Sequence, residues 1–216
     1  NAFFVILFDD VFEVALAAEV VASVAREYLK NYRGKKPLFS SACPASLRLM
    51  QIKFPELLGH VIPILTPMEV AARIAKEEAH KTTGLPLKDI GAFFITPCPA
   101  KVTEAKTPMI TKQSAVDGVI GANIIYKDIV KYIAKGDSKR RYSLNKATGS
   151  GIGWGYITGE SKSIGFGTSL AVSGIHNVIS LLEEIELGEL QDVDFIELQA
   201  CTGGCVGGPL NIQNLF

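Results

Sequence analysis

Apolar residues along this chain recur with two periods. Between Val11 and Tyr28, and on to Leu29, the apolar positions Val14, Ala17, Ala18, Val21, Val24 and Ala25 return every three or four residues. That spacing predicts an amphipathic helix ended by Asn31 and Gly34. The same period runs from Gly174 to Glu186, with Ile175, Val178, Ile179, Leu182 and Ile185 on one face and Gly188 as the stop. Shorter helices are predicted from Pro44 through Met50, from Thr66 as N-cap to about His80, and from Ile124 to Ile133 before Gly136. Between them lie apolar stretches of strand length: 3–8, 37–40, Val61–Leu65 with Pro55 and Pro63 as its markers, Ile90–Ile95 and 194–200. Residues 107–121 are mixed. Residues 136–161 carry Gly149, Gly151, Gly153, Gly155 and Gly159 around Trp154, which predicts a loop laid over a site. No repeat of fixed period is visible. Strands alternating with helices predict an α/β fold: two lobes of mostly parallel strands with flanking helices.

Size and charge narrow the function classes. A chain of 216 residues can bury a core without covalent staples. Lys+Arg and Asp+Glu are 22 each, so there is no basic footprint for a nucleic acid. Lys139-Arg140-Arg141 reads as a solvated loop. No stretch of eighteen apolar residues predicts a membrane span, and the apolar opening 3–8 has neither the flank nor the cleavage site of a signal peptide. The expected location is the cytoplasm, where clustered thiols bind metal or do redox chemistry rather than form disulfides.

The chemistry is concentrated in four cysteines, each beside proline or glycine. Cys43 lies in Ser41-Ala42-Cys43-Pro44 after a strand and at the start of a helix, where amide groups favour a thiolate. Cys98 lies in Thr96-Pro97-Cys98-Pro99 after another strand. Cys201 and Cys205 bracket Thr202-Gly203-Gly204 after a third. Ligands gather at such strand ends in open α/β sheets. Four thiolates are the usual count for an iron–sulfur cluster or a structural zinc. The wide spacing lacks the paired short knuckles of zinc sites, although a zinc domain stays open on the residues alone. The glycines let backbone amides approach a bulky inorganic core.

These segments resemble the three signature motifs of the large catalytic domain of [FeFe] hydrogenases, in the same order. They are Ser40-Ser41-Ala42-Cys43-Pro44, Thr96-Pro97-Cys98-Pro99-Ala100-Lys101, and Glu197 through Gly208. The resemblance spans nearly all of residues 1–216, read as one two-lobed domain. It implies that Cys43, Cys98, Cys201 and Cys205 hold a [4Fe–4S] cubane in the cleft between the lobes. It also implies that Cys205 bridges to a di-iron subsite carrying CO, cyanide and a dithiolate, together the H-cluster. Lys101 matches the lysine that donates a hydrogen bond to cyanide. The implied activity is reversible H2 oxidation and proton reduction with a ferredoxin-type electron carrier as partner, or with fused ferredoxin or signalling domains.

Departures from the motifs qualify that expectation. Ala42 stands where fast enzymes carry a proton-relaying cysteine, and Thr96 where they carry a methionine. The resemblance is therefore to the sensory branch, with slow turnover. No segment matching the family's usual start is recognisable before Phe8, and no further cysteine runs mark accessory clusters or a signalling module, so the domain is expected to be incomplete at its N-terminal side. The alternative is a non-catalytic, hydrogenase-like protein of iron–sulfur assembly or electron transfer. Among other residues, Glu56, Glu104 and Glu160 are candidates for a replacement proton path. His60, His80 and His176 read as surface or core residues, Trp154 as packing, and the adjacent Asp9 and Asp10 as a loop rather than an acid–base pair.

Overall fold

The computed structural model describes residue 3, residues 8–133 and residues 146–212. The predicted strand at 3–8 is thus largely outside the described residues, as are Gly136 and the Lys139-Arg140-Arg141 cluster. Among the described residues the helices are α1 Val14–Asn31, α2 Pro44–Lys53, α3 Pro67–Thr83, α4 Pro99–Lys106, α5 Ala122–Ile133, α6 Gly149–Ile152, α7 Gly159–Ile164 and α8 Ile175–Glu186. The strands are β1 Leu38–Phe39, β2 Phe93–Thr96, β3 Gly118–Gly121, β4 Ser169–Ser173 and β5 Phe195–Gln199.

Two sheets form, and every ladder is parallel. One has the order β1-β5-β4, the other pairs β2 with β3. The α/β reading holds, with helices flanking parallel strands. Strand β5 is buried along its whole length, as a central parallel strand must be when both faces are covered. On one face Ile196 and Leu198 join Phe39, Leu47, Met50, Val178 and Leu182, from β1, α2 and α8. On the other, Phe195 joins Ala18, Val21, Ala25, Leu38 and Ile164, from α1, β1 and α7. The small residues Ala18, Ala22 and Ala25 let α1 approach closely. A smaller cluster of Met68, Ala72 and Val116 supports the second sheet from α3.

Several local expectations change. Val61–Leu65 is not a strand. Val61 makes one parallel bridge to Phe39, Ile62 donates to the Phe39 carbonyl at 3.0 Å, and Pro63 has no N–H with which to extend a ladder. Thr66 occupies the N-cap position of α3, but its hydroxyl makes no capping bond and is buried without a partner among the described residues. The mixed stretch 107–121 contains β3, and β4 is a further strand the pattern did not mark. The glycine-rich stretch folds into α6, a 3-10 turn at Gly153–Gly155 and α7 instead of a plain loop. A Cβ on Gly151 would strike the Ala15 carbonyl, and one on Gly159 the Gly153 carbonyl, so these glycines are what allow the close packing.

Candidate metal centre

Each of the four cysteines follows a strand. Cys98 comes two residues after β2, Cys201 two after β5, and Cys43 a short turn after β1. Sheet β1-β5-β4 therefore supplies three of them and sheet β2-β3 the fourth. Cys43 and Cys98 are built alike. Each is the N-cap of a helix that has proline at its first position, with φ/ψ of −97°/105° and −108°/114°. Proline fits there because its missing N–H would have had no helical partner. An N-cap side chain faces the free amides of the first turn. No capping hydrogen bond closes at either cysteine, but the Lys101 and Ala100 amides favour the Cys98 thiolate. Hydroxyls brace both turns: Ser40 Oγ accepts from Ala42 N at 3.1 Å, and Thr96 Oγ1 accepts from Cys98 N at 3.2 Å.

The glycines in Cys201–Cys205 are required by geometry. Gly203 and Gly204 have φ of 77° and 100°. A Cβ on Gly204 would lie 2.5 Å from Gln199 Oε1, 2.7 Å from the Gly155 carbonyl and 2.7 Å from Ile157 N. This loop is clamped from outside, since Ile157 donates to the Gly203 carbonyl at 3.1 Å and Tyr156 bridges Gly204. The second motif is joined to the segment just after the third where Leu210 donates to the Pro97 carbonyl at 2.8 Å. It is joined to the first where Lys101 Nζ donates to the Ala42 carbonyl at 3.1 Å. The stretch 153–159 thus lies against the cysteine loop, with Gly155 at 3.8 Å from Cys205 Cβ when given a side chain.

All four cysteines are free thiols and half-buried. They bear on one another's ionisation. Burial pushes the Cys98 thiol up, and Cys43 adds to it. Burial, then Cys98 and Cys43, raise Cys201. Burial pushes Cys205 up to about 12, with Cys43, Cys98 and Cys201 adding and the Lys101 ammonium opposing. Every pair among the four is therefore within electrostatic reach. Yet among the described residues no three His, Cys, Asp or Glu close on a point that could hold one metal ion.

Lys101 is 8% exposed and also donates to Glu104 Oε2 at 2.6 Å, so two of its three N–H groups are engaged. Glu160, another sequence candidate, is 2% exposed and accepts from Ser40 Oγ at 2.5 Å. Glu56 is exposed on the Pro55–His60 turn. His60 sits against the Pro37 carbonyl, His80 against the Leu85 carbonyl at the end of α3, and His176 on the exposed side of α8. Trp154 is buried among α1 and β1 side chains, as packing predicts. Asp9 and Asp10 are exposed. A cavity of about 630 Å³ lies at Asp10–Val24 against Ile74 and Glu78, and no cysteine lines it. Gln199 was not singled out from sequence. It is 5% exposed at the end of β5, and its Oε1 has no partner among the described residues. Its place two residues before Cys201 was the available signal.

Known proteins give this geometry a context. Iron hydrogenase 1 of Clostridium pasteurianum is 23% identical over 93% of this chain and 43% of its own length. The NADP-reducing hydrogenase subunit HndD of Solidesulfovibrio fructosivorans is 25% identical over the same shares. The chain thus spans less than half of either relative. The cytosolic Fe-S cluster assembly factor nar1 of Aspergillus terreus is 32% identical, over 45% of this chain and 16% of its own length. The [FeFe]-hydrogenase HydA1 of Chlamydomonas reinhardtii superposes with a TM-score of 0.71 at 16% identity, covering 100% of this chain and 73% of that one. The family described as iron only hydrogenase large subunit, C-terminal domain, matches residues 1–150 and 122–209. With nearly every residue matched, and its motifs brought together in the expected fold, this chain belongs to the family of the iron-only hydrogenase large subunit, C-terminal domain.

Proposed function

We propose that Cys43, Cys98, Cys201 and Cys205 hold a [4Fe–4S] cubane and that Cys205 also joins it to a di-iron subsite. The convergence of four thiols from three distant segments, each within electrostatic reach of the other three, carries this reading. The donor set fits. Four soft thiolates, carried on three segments tied together by the Lys101–Ala42 and Leu210–Pro97 hydrogen bonds, suit iron–sulfur chemistry. Bound there, the cofactor would supply one-electron storage at the cubane and reversible H2 cleavage at the di-iron subsite.

The chain's own residues do the rest. Binding requires the raised thiols to release their protons, and iron compensates them for the water they have lost. Gly203 and Gly204 bring backbone close where a side chain would keep it away. Lys101 is held by Ala42 and Glu104 and keeps one N–H for an anionic ligand such as cyanide. Ala42 offers no exchangeable proton, which supports slow turnover suited to sensing H2. The electron partner would be a ferredoxin-type carrier or a fused domain.

The test is reconstitution with iron and sulfide, maturation with a synthetic di-iron complex, and assay of H2-dependent dye reduction. The cubane should appear in electron paramagnetic resonance, and CO and cyanide bands in the infrared. Cys205→Ala should abolish the activity, and undiminished activity in that variant would sink the assignment. The likeness to nar1 over 98 residues supports a second reading, an iron–sulfur assembly protein that holds a cubane alone. A cubane signal with no CO or cyanide bands after maturation selects it.

A further inference from the structure

Behind the cysteine-bearing ends of β1 and β5 lies a buried polar layer that neither the core nor the four ligands explain. Ser40, Glu160, Ser161, Glu197 and Gln199 are each 9% exposed or less. Glu197 accepts from Ser161 N and Oγ, both at 2.9 Å, and its Oε1 has no partner among the described residues. Glu160 accepts from Ser40 Oγ, which in turn accepts from the amide of Ala42, the neighbour of Cys43. A buried carboxylate normally needs a cation or several donors, because dehydrating an isolated charge costs many kcal/mol. Glu160 has one hydroxyl and a second carboxyl beside it.

We infer that Glu160 is a proton-carrying group of the candidate metal centre, whose proton occupancy would follow the electron occupancy of a cluster held by the four cysteines. This rests on the proposal that the four cysteines hold a cubane.

The charges around Glu160 support it. Burial holds the acid in its neutral form and Glu197, from β5, adds to this, while Ser40, from β1, and Lys101, from α4, oppose. Arg26 of α1 lies on the carbonyls of Ser163 and Ile164, at the C-terminal end of α7. Lys101 is already shared with Glu104, so it does not neutralise Glu160 outright. An electron placed on four-thiolate iron adds negative charge to a poorly screened interior and raises the affinity of Glu160 for a proton. The balance is one electron from the reductant onto the cluster and one proton from water onto the Glu160 carboxylate. Of the three acids considered from sequence, Glu56 is exposed and Glu104 is committed to Lys101, which leaves Glu160.

Glu160 can be tested first without metal. Infrared spectra of the iron-free full chain at pH 7 should show a protonated carboxyl band that Glu160→Gln removes, and an unchanged band overturns the inference. In the chain reconstituted with iron and sulfide, the cubane midpoint potential is then titrated from pH 6 to pH 10. It should be flat at low pH and fall above an onset at or beyond about pH 8. The limiting slope is the ~59 mV per tenfold change in proton activity expected of a one-electron couple. Glu160→Gln should flatten the profile. If that variant does not fold, Ser40→Ala serves. It removes the hydroxyl that favours the ionised form, so the onset should move to higher pH. A flat wild-type profile, a slope retained in Glu160→Gln, or an onset unmoved in Ser40→Ala each overturns the inference. Absence of any cubane signal after reconstitution instead defeats the proposed function, and this inference with it.

Discussion

Replacing Gly204 with alanine should damage the fold and the cysteine loop together. Its φ of 100° and ψ of −164° lie in a region only glycine occupies readily, which costs an L-residue about 1–3 kcal/mol. The new methyl would also lie 2.5–2.7 Å from Gln199 Oε1, the Gly155 carbonyl and Ile157 N. Two of those atoms are backbone, so the clash cannot be relieved by a rotamer change. Overpacking of this kind costs about 1–3 kcal/mol. The loss should therefore be about 2–6 kcal/mol, read by urea titration of the metal-free chain. At roughly 2–4 °C per kcal/mol for a chain of this size, the melting temperature should fall by about 4–24 °C. Gly59→Ala is the control, because a methyl there meets nothing within 4 Å and its effect should stay within about 1 kcal/mol. If Gly204→Ala unfolds within about 0.5 kcal/mol of the wild type, the clamp of residues 155–157 on the cysteine loop is wrong.

Other expectations follow from single contacts. Lys101→Met should cost about 3–5 kcal/mol in a urea titration by leaving Glu104 buried and unpaired, and Lys101→Met with Glu104→Leu should recover most of it; no recovery would argue against the pair. Leu182→Ala, at a fully buried position between α8 and the sheet, should cost about 2–5 kcal/mol by the same assay. Stability against pH should carry two opposite slopes. Glu160, mainly through burial, holds its proton up to about pH 8, whereas the unfolded chain loses it in the ordinary carboxylate range. Stability of the metal-free chain should therefore fall as pH rises through that window, and Glu160→Gln should remove that component. Asp194 is lowered by Lys36 and by the Thr168 amide, so its contribution stands above the ordinary carboxylate range and is lost as the solution is acidified; Lys36→Met should weaken that loss.

What could be read from sequence was local. Helices α1 and α8 carry enough repeats of one period to identify their faces, and each cysteine announces its turn through an adjacent proline or glycine. Gly188 marks the end of α8 by a left-handed turn that glycine takes without strain. Strands β3 and β4 were not legible, because Gly118–Gly121 and Ser169–Ser173 have little apolar alternation and exist through pairing with β2 and β5. Residues 149–164 look like a loop by composition, since glycine signals freedom in sequence while here it admits backbone against backbone. At the site, the motifs named the four thiols. The link from Glu160 to Ser40 joins residues 120 positions apart, and no local pattern encodes it.

The order of strands in the first sheet has a consequence for how the molecule is made. β1 finds its ladder only against β5, which occurs latest in the sequence of the described strands. While the chain leaves the ribosome, Leu38 and Phe39 therefore wait for Phe195 and Ile196, and Cys43 waits beside them as an unpaired nucleophile. So long a wait makes formation of this sheet a slow, non-local step. The early half of the chain cannot complete this sheet until the strand leading to Cys201 has been synthesised. Only then do the three cysteine motifs share one address.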